Sequence, residues 1–403
     1  MPTPILLISD AIDQPTGLAR ISRDLLGLLH ANRQVLDIEV AQLGWGYREE
    51  QSFPWPVRAM RDRDEWGAAD LPKCWWSLYG NRRGVVLTVW DPGRCFSLSA
   101  TAADSPVQLW GYFPVDSTGI NGALSGPPLV ALQRYRRVLA YGPWGSSVLR
   151  KTLDKPVAWL PHGIDLEVFK PITPDLREVP AGSCKVEDES QYSTQLVAWY
   201  TGHLVGCVAA NQPRKDYGLL FHAWKIMGER DPALRFWLHT DDPVRHWSVP
   251  QLVEDFGLQD RIVVTTPESV RRDGDLAALY AQCIVTIGCG LGEGFGYSAV
   301  ESLACGAPQI LIDYAGGAGL VPVQAWRVEP RSWRIEGAFA QLRPVCEPYE
   351  VATAALQAIA WRRKEPEVVS AWCRGAVEAF SWKHLGGYWL SWVARGLQEL
   401  RES

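Results

Sequence analysis

Short apolar runs alternate with amphipathic stretches along the whole chain. Ile5–Ser9 carries no charge and predicts a buried strand. A polar, glycine-containing loop, Asp10–Gly17, leads into a helical period from about Leu18 to Ala31. Further strands are predicted at Ile38–Leu43, Val85–Trp90, Val107–Phe113, Arg137–Ala140 and Val157–Leu160, with a short helix at Ser146–Lys151. Between Lys170 and Thr194 the rhythm breaks. Pro171, Pro174, Pro180, Gly182 and the acidic Glu187-Asp-Glu189 predict a connector with a surface insertion. It then restarts, with strands at Leu204–Ala209, Leu234–His239, Ile262–Thr265, Ile284–Ile287 and Gln309–Asp313. Helices are predicted at Asp216–Gly228, Leu252–Phe256, Leu276–Gln282, Ser298–Ala304, Glu350–Arg363, Ser370–Phe380 and Tyr388–Leu400. Strand–helix alternation of this kind is the pattern of a parallel, doubly wound sheet. Two successive runs predict an α/β protein with two Rossmann-like domains facing a central cleft. The expected boundaries are 1–170 and 171–380, with a helix in 381–403 packing back on the first domain. Ligands in such sheets sit off the carboxyl ends of the strands.

Composition narrows the class. The chain has 403 residues, 47% hydrophobic and 21% charged, enough apolar material for two cores and too much for a disordered, collagen-like or coiled-coil protein. The net charge of −5 argues against a dedicated binder of phosphate backbones. Nine cysteines, an odd number without a C-x-x-C pair, predict a reducing, cytoplasmic compartment. The start, Met1-Pro-Thr-Pro-Ile-Leu-Leu-Ile-Ser-Asp10, lacks the basic and long apolar regions of a signal peptide, and no apolar run has the ~18 residues of a membrane span. The 20 tryptophans read more readily as core than as platforms for sugars or bases.

The most informative stretch is Ile287–Pro308. A strand ends, glycines fall at 288, 290, 292, 294 and 296, and a helix begins near Ser298. Glycines let a ligand approach the backbone, and a helix N-terminus favours anions. Glu293 in the loop is either a solvated acid or an acceptor for sugar hydroxyls. Glu301 is either such an acceptor or one half of a capping box with Ser298.

Glu293-Gly-Phe-Gly-x3-Val-Glu301-x3-Cys-Gly-x-Pro308 resembles the E-x7-E motif of retaining GT-B glycosyltransferases of family 4, the group 1 glycosyl transferases. Two more segments agree in order. Trp159-Leu-Pro-His-Gly-Ile-Asp165-x3-Phe169-x-Pro171 is similar to the family's segment entering the interdomain region. Asn211-Gln-Pro-Arg-Lys215-Asp-Tyr-Gly-Leu-Leu-x2-Ala-Trp224 is similar to its donor-diphosphate loop and the following helix. Thr16-Gly17-Leu18 is a weaker match to its N-terminal glycine loop. The resemblance covers about 160–380 well and the first half by architecture only.

The resemblance implies a GT-B enzyme that moves a sugar from a nucleotide-sugar donor, UDP- or GDP-linked, to a hydroxyl, with retention and without a metal or other cofactor. It assigns Arg214, Lys215 and Gly17 to the donor's diphosphate, and Glu293, Gly294, Phe295 and Gly296 to the transferred sugar. Glu301 is assigned to the ribose. The family commonly has an arginine five residues before the lysine, where this chain has Ala210. On the acceptor side the expected carboxylate is Asp116, next to Glu293 in catalytic importance, with Asp91 the weaker choice because Asp-Pro-Gly reads as a turn. The acceptor is open: a glycan, a lipid-linked sugar, a small metabolite or a hydroxylated base in DNA. Contact with nucleic acid or a membrane surface through Arg134, Arg136, Arg137 or Arg331–Arg334 is not indicated by net charge; these arginines read as solvated faces. His162 reads as a loop residue near the cleft, and His30 and His222 as structural.

Other motifs compete. Asp62-Arg-Asp64 and Asp273-Gly-Asp275 match the D-x-D of metal-dependent transferases but follow no apolar strand. His239-x6-His246 with Asp241 and Asp242 lacks a third spaced metal ligand. Gly294-x-Gly296-x-x-Ala299, with Asp313 ending the next strand, fits a relaxed dinucleotide fingerprint and keeps an NAD-dependent oxidoreductase as the alternative enzyme. A non-catalytic sugar-nucleotide-binding protein is the alternative without chemistry.

Overall fold

The structure is a computed structural model and describes residues 1–48, 52–61, 65–171, 202–320, 323 and 326–402. The connector after Pro171 and Asp62-Arg-Asp64 fall outside the described residues. The chain divides into two compact units. One holds residues 1–162, 335–342 and 382–403, and the other 163–334 and 343–381.

The first unit is built on a seven-stranded sheet. Its strands are β1 (Thr3–Asp10), β2 (Ile38–Trp45), β3 (Val57–Ala59), β4 (Gly84–Thr88), β5 (Val107–Phe113), β6 (Arg137–Ala140) and β7 (Ala158–Trp159). The order is β3-β2-β1-β4-β5-β6-β7 and every pairing is parallel. In β1, every residue from Pro4 to Asp10 is buried, as expected of a parallel strand covered on both faces. The helix Gly17–Ala31 begins where Thr16 accepts a hydrogen bond from the Ala19 amide at 3.1 Å. It buries Ala19, Ile21, Ser22, Leu25, Leu26 and Leu29, a stripe at helical spacing. Trp90, Trp110 and Trp389 are wholly buried in this unit, which is the core reading of the tryptophans. Arg137 departs from its expected solvated face. It is half-buried between the rings of Trp110 and Trp392 and pairs with Glu399 at 3.0 Å.

The second unit carries β8 (Leu204–Val208), β9 (Arg235–His239), β10 (Ile262–Thr265), β11 (Cys283–Ile287), β12 (Gln309–Ile312) and β13 (Arg327–Val328). Their order is β10-β9-β8-β11-β12-β13, again all parallel. Both sheets therefore have the doubly wound order in which the chain starts in the middle, runs to one edge and returns to fill the other side. The two Rossmann-like folds expected from the alternation are present. A hairpin, β14 (Ser332–Glu336) and β15 (Gln341–Val345), was not foreseen from the pattern. No helix among the described residues is long and apolar enough to cross a membrane.

Candidate active site

In the second sheet the order reverses between β8 and β11. In doubly wound sheets such a switch point is where ligands are held. The loop leaving β8 runs Ala209–Asp216, and that leaving β11 runs Gly288–Gly296. They are stitched together by backbone: the Leu291 amide donates to the Arg214 carbonyl at 2.8 Å, the Asp216 amide to the Cys289 carbonyl at 3.0 Å, and Lys215 bridges Gly290. Asp216 then caps the helix Tyr217–Arg230 by accepting from the Leu219 amide at 2.9 Å.

This stitching brings Arg214, Lys215 and Glu293 together, although 78 positions separate the lysine from the glutamate. The Lys215 ammonium, only 9% exposed, donates to Glu293 Oε1. Arg214 donates to Glu293 Oε2 at 3.2 Å and to the Gly292 carbonyl at 3.0 Å. Burial alone would raise the Glu293 carboxyl. The charges and hydrogen bonds of Lys215 and Arg214 outweigh it and hold the group down at about 2. Glu293 is thus a carboxylate with a cation on each oxygen.

The glycines around this cluster are there for close approach. A Cβ on Gly290 would lie 2.3 Å from Glu293 Oε1, and one on Gly316 would lie 2.3 Å from the Gly294 carbonyl. Gly317 sends its amide to the Glu293 carbonyl at 3.2 Å. The Gly316–Gly317 pair was missed in the sequence, although a glycine run just after β12 was a usable signal. Phe295 is buried against Phe380.

The capping-box reading of Glu301 is corrected. The helix runs Tyr297–Ala304, and Gly296, at φ 97°, is its N-cap, with no side-chain cap. Ser298 is the second residue inside the helix. Glu301 lies a turn further in, is 3% exposed, and accepts a hydrogen bond from the Tyr280 hydroxyl at 2.9 Å. Tyr280 belongs to the helix Asp273–Gln282, and nothing in its local pattern marked it.

The first unit holds the remaining sequence candidates. Gly17 is the first residue of its helix, where Thr16 also donates to Asp10 Oδ2 at 2.7 Å. Asp91 accepts from the Gly93 amide at 2.8 Å, the turn role foreseen for it. Asp116 follows β5 and is partly buried. His162 lies in a loop after β7, as expected, with its ring fully buried and packed on Tyr112 and Tyr141. His30 packs on Trp55 and His222 on Phe256, both structural. Of the competing metal motifs, Asp275 pairs with Arg272, and His239 bonds Thr265 at 2.9 Å. Asp241 is occupied by the Asn211 amide at 2.6 Å. Among the described residues no three His, Cys, Asp or Glu side chains group as metal ligands.

The fold defines the class first. The chain superposes on sucrose-phosphate synthase from Thermosynechococcus elongatus with a TM-score of 0.71 at 18% identity, covering 98% of this chain and 99% of that one. Anabaena HepE, in its complex with UDP and glucose, follows at 0.67 and 15%, covering 98% and 100%. The catalytic domain of starch synthase IV from Arabidopsis thaliana, bound to ADP and acarbose, follows at 0.65 and 13%, covering 98% and 99%. No curated protein matches. The family comes next: residues 202–341 match the family described as Glycosyl transferases group 1. The match includes the E-x7-E stretch from which the resemblance was read.

Proposed function

We propose that the protein is a retaining glycosyltransferase, cytoplasmic and independent of metal, that moves a sugar from a nucleotide-sugar donor to a hydroxyl acceptor. The observation that carries this reading is the Lys215–Glu293–Arg214 cluster at the β8/β11 switch point, with Glu301 buried eight residues on. Anabaena HepE was solved with UDP and starch synthase IV with ADP, and the shared fold supports a nucleotide sugar here. Cleavage of the sugar–phosphate bond places negative charge on the departing diphosphate. Lys215 and Arg214 neutralise that charge in a partly desolvated crevice, which is the task a divalent ion performs elsewhere. Glu293 accepts hydroxyl hydrogen bonds from the transferred sugar, and Glu301 accepts those of the ribose. The acceptor hydroxyl attacks on the face that the diphosphate leaves, so the configuration is kept. Its proton passes to the departing phosphate oxygen, and Asp116 orients the acceptor. The eight described cysteines are all free thiols, in keeping with a reducing compartment.

The test is calorimetric titration of UDP, GDP and ADP, alone and as glucose conjugates, followed by turnover with and without EDTA. We expect one nucleotide series to bind, and turnover to survive chelation. Lys215→Ala should weaken nucleotide binding by roughly 1.5–3 kcal/mol, the usual loss of a charge-assisted contact. Activity abolished by EDTA and restored by Mn²⁺ would remove the metal-independent mechanism.

A further inference from the structure

The donor-site reading leaves unexplained a cation buried behind the glycine loop. Arg343 lies in β15 and is only 4% exposed. Burying a guanidinium is costly unless its donors find acceptors. One of them, Nη1, donates to the Leu291 carbonyl at 3.2 Å, in the middle of the loop Gly288–Gly296.

That loop has little of its own to hold it. Alternate glycines leave its backbone dihedrals almost unrestricted, and Gly292 sits at φ 138°, a conformation that side chains rarely allow. The orientation of each peptide is therefore set by what its two polar ends bond. At Leu291 both are taken. Its amide donates to the Arg214 carbonyl at 2.8 Å, and its carbonyl accepts from Arg343. The next carbonyl, of Gly292, accepts from the Arg214 side chain at 3.0 Å. Arg214 thus engages residues 291 and 292 with backbone and side chain alike, and Arg343 anchors the first of them.

In a trans peptide the N–H points opposite to the C=O. The two guanidinium groups on successive carbonyls therefore turn the Gly292 and Glu293 amides away from themselves. Neither amide donates to another group among the described residues. Unspent backbone donors in a loop joined to a lysine and an arginine suit an anion. We propose that Arg343 is a positioning residue for the donor's diphosphate. It acts through the Leu291–Gly292 peptide, holding it so that the Gly292 amide and the Arg214–Lys215 pair meet the diphosphate together. The proposal rests on the glycosyltransferase reading above and adds a residue that the resemblance does not assign.

Calorimetry with UMP, UDP, GMP, GDP, AMP and ADP finds the base that the native chain binds and its diphosphate-to-monophosphate affinity ratio. The ratio is then measured for Arg343→Gln, Arg343→Lys and a control, Arg362→Gln, with thermal melts of each. Arg362 donates to the Ile284 carbonyl in β11 at 3.3 Å, an arginine–carbonyl contact of the same unit outside the loop. Arg343→Gln should lower the ratio about fivefold or more, with the monophosphate bound as before. Arg343→Lys, which keeps the charge, should recover most of that loss. Arg362→Gln should lower the melting temperature without moving the ratio. An unmoved ratio in Arg343→Gln, an equal fall for both nucleotides, no recovery in Arg343→Lys, or the same fall of the ratio in Arg362→Gln would each overturn the proposal. Hydrogen exchange of segment 288–296 in the native chain depends on no variant's folding. The diphosphate should slow it several-fold more than the monophosphate, and equal protection would overturn the proposal. A native chain that binds none of these nucleotides strikes the enzyme reading and the proposal with it; nucleotide binding with an unmoved ratio strikes the role of Arg343 alone.

Discussion

Glu293 was expected to face the transferred sugar and leave the diphosphate to Lys215 and Arg214, yet its carboxylate bonds both cations. A diphosphate entering the crevice competes with Glu293 for them. The Glu293→Gln variant removes that competitor, so it should bind free nucleoside diphosphate several-fold tighter while turnover falls, because a neutral amide is a poorer acceptor for the sugar's hydroxyls. Weaker nucleotide binding in this variant, measured by calorimetry, would show that Glu293 organises the cations and does not compete for them. At Glu301 the Tyr280 hydroxyl occupies one carboxylate oxygen, Oε2, and so orients the other. Glu301→Gln should cost roughly 1–3 kcal/mol of nucleotide affinity. Tyr280→Phe should act in the same direction and, more tellingly, should reduce the preference for a ribonucleotide over its 2′- and 3′-deoxy forms. A preference unchanged in Tyr280→Phe would leave the hydrogen bond a purely structural one.

At the scale of elements, the site depends on two loops in which Gly290 and Gly316 leave no room for a side chain. Gly290→Ala would drive a methyl into Glu293 Oε1, and Gly316→Ala would drive one into the Gly294 carbonyl. Each should abolish donor binding while costing the fold little, roughly the 1–3 kcal/mol of a local overpacking. Full nucleotide affinity in both variants would show that the loops tolerate displacement. What the sequence revealed of these elements follows their burial. Val107–Phe113, Arg137–Ala140 and Ile262–Thr265 were legible to the residue, being runs of strand-forming side chains bounded by turn or charged residues. Val57–Ala59 was not, since three residues at the edge of a sheet make no pattern. Nor was β14, whose first four residues are exposed, so that no buried side imposes a period of two. The E-x7-E stretch was legible as a motif, but not its ion pairs, because the meeting of Lys215 with Glu293 is created by the strand order and not by local spacing. Ser298 misled for a local reason: Gly296 takes a left-handed conformation and starts the helix one residue early, which removes the serine from the cap.

For the molecule as a whole, each unit holds a depressed histidine, His162 fully buried and His239 partly so, and together they set the response to acid. In the first unit the Tyr112 hydroxyl donates to the Leu160 carbonyl at 2.9 Å, so its oxygen accepts from His162 Nδ1, also at 2.9 Å. The ring is therefore the neutral Nδ1–H form, and burial, with the nearby charge of Arg20, holds it well below 6.5. In the second unit burial pushes His239 down from 6.5 to about 4, against the opposing pull of Asp241 and Glu268. A histidine depressed in the folded state contributes stability that is complete above its unfolded value and is lost as pH falls towards its folded one. For His239 that window runs from 6.5 to about 4 and is worth at most about 3 kcal/mol. Glu293, lowered from 4.5 to about 2, continues the loss at lower pH. Urea unfolding followed by tryptophan fluorescence from pH 7.5 to 4.5 should therefore show the native protein weakening steadily. His162→Gln and His239→Gln should start less stable at pH 7.5, because each leaves an imperfectly filled site. Each should then lose less on acidification, and only in the transition of its own unit. Parallel pH slopes in the native protein and both variants would place the acid sensitivity elsewhere in the molecule.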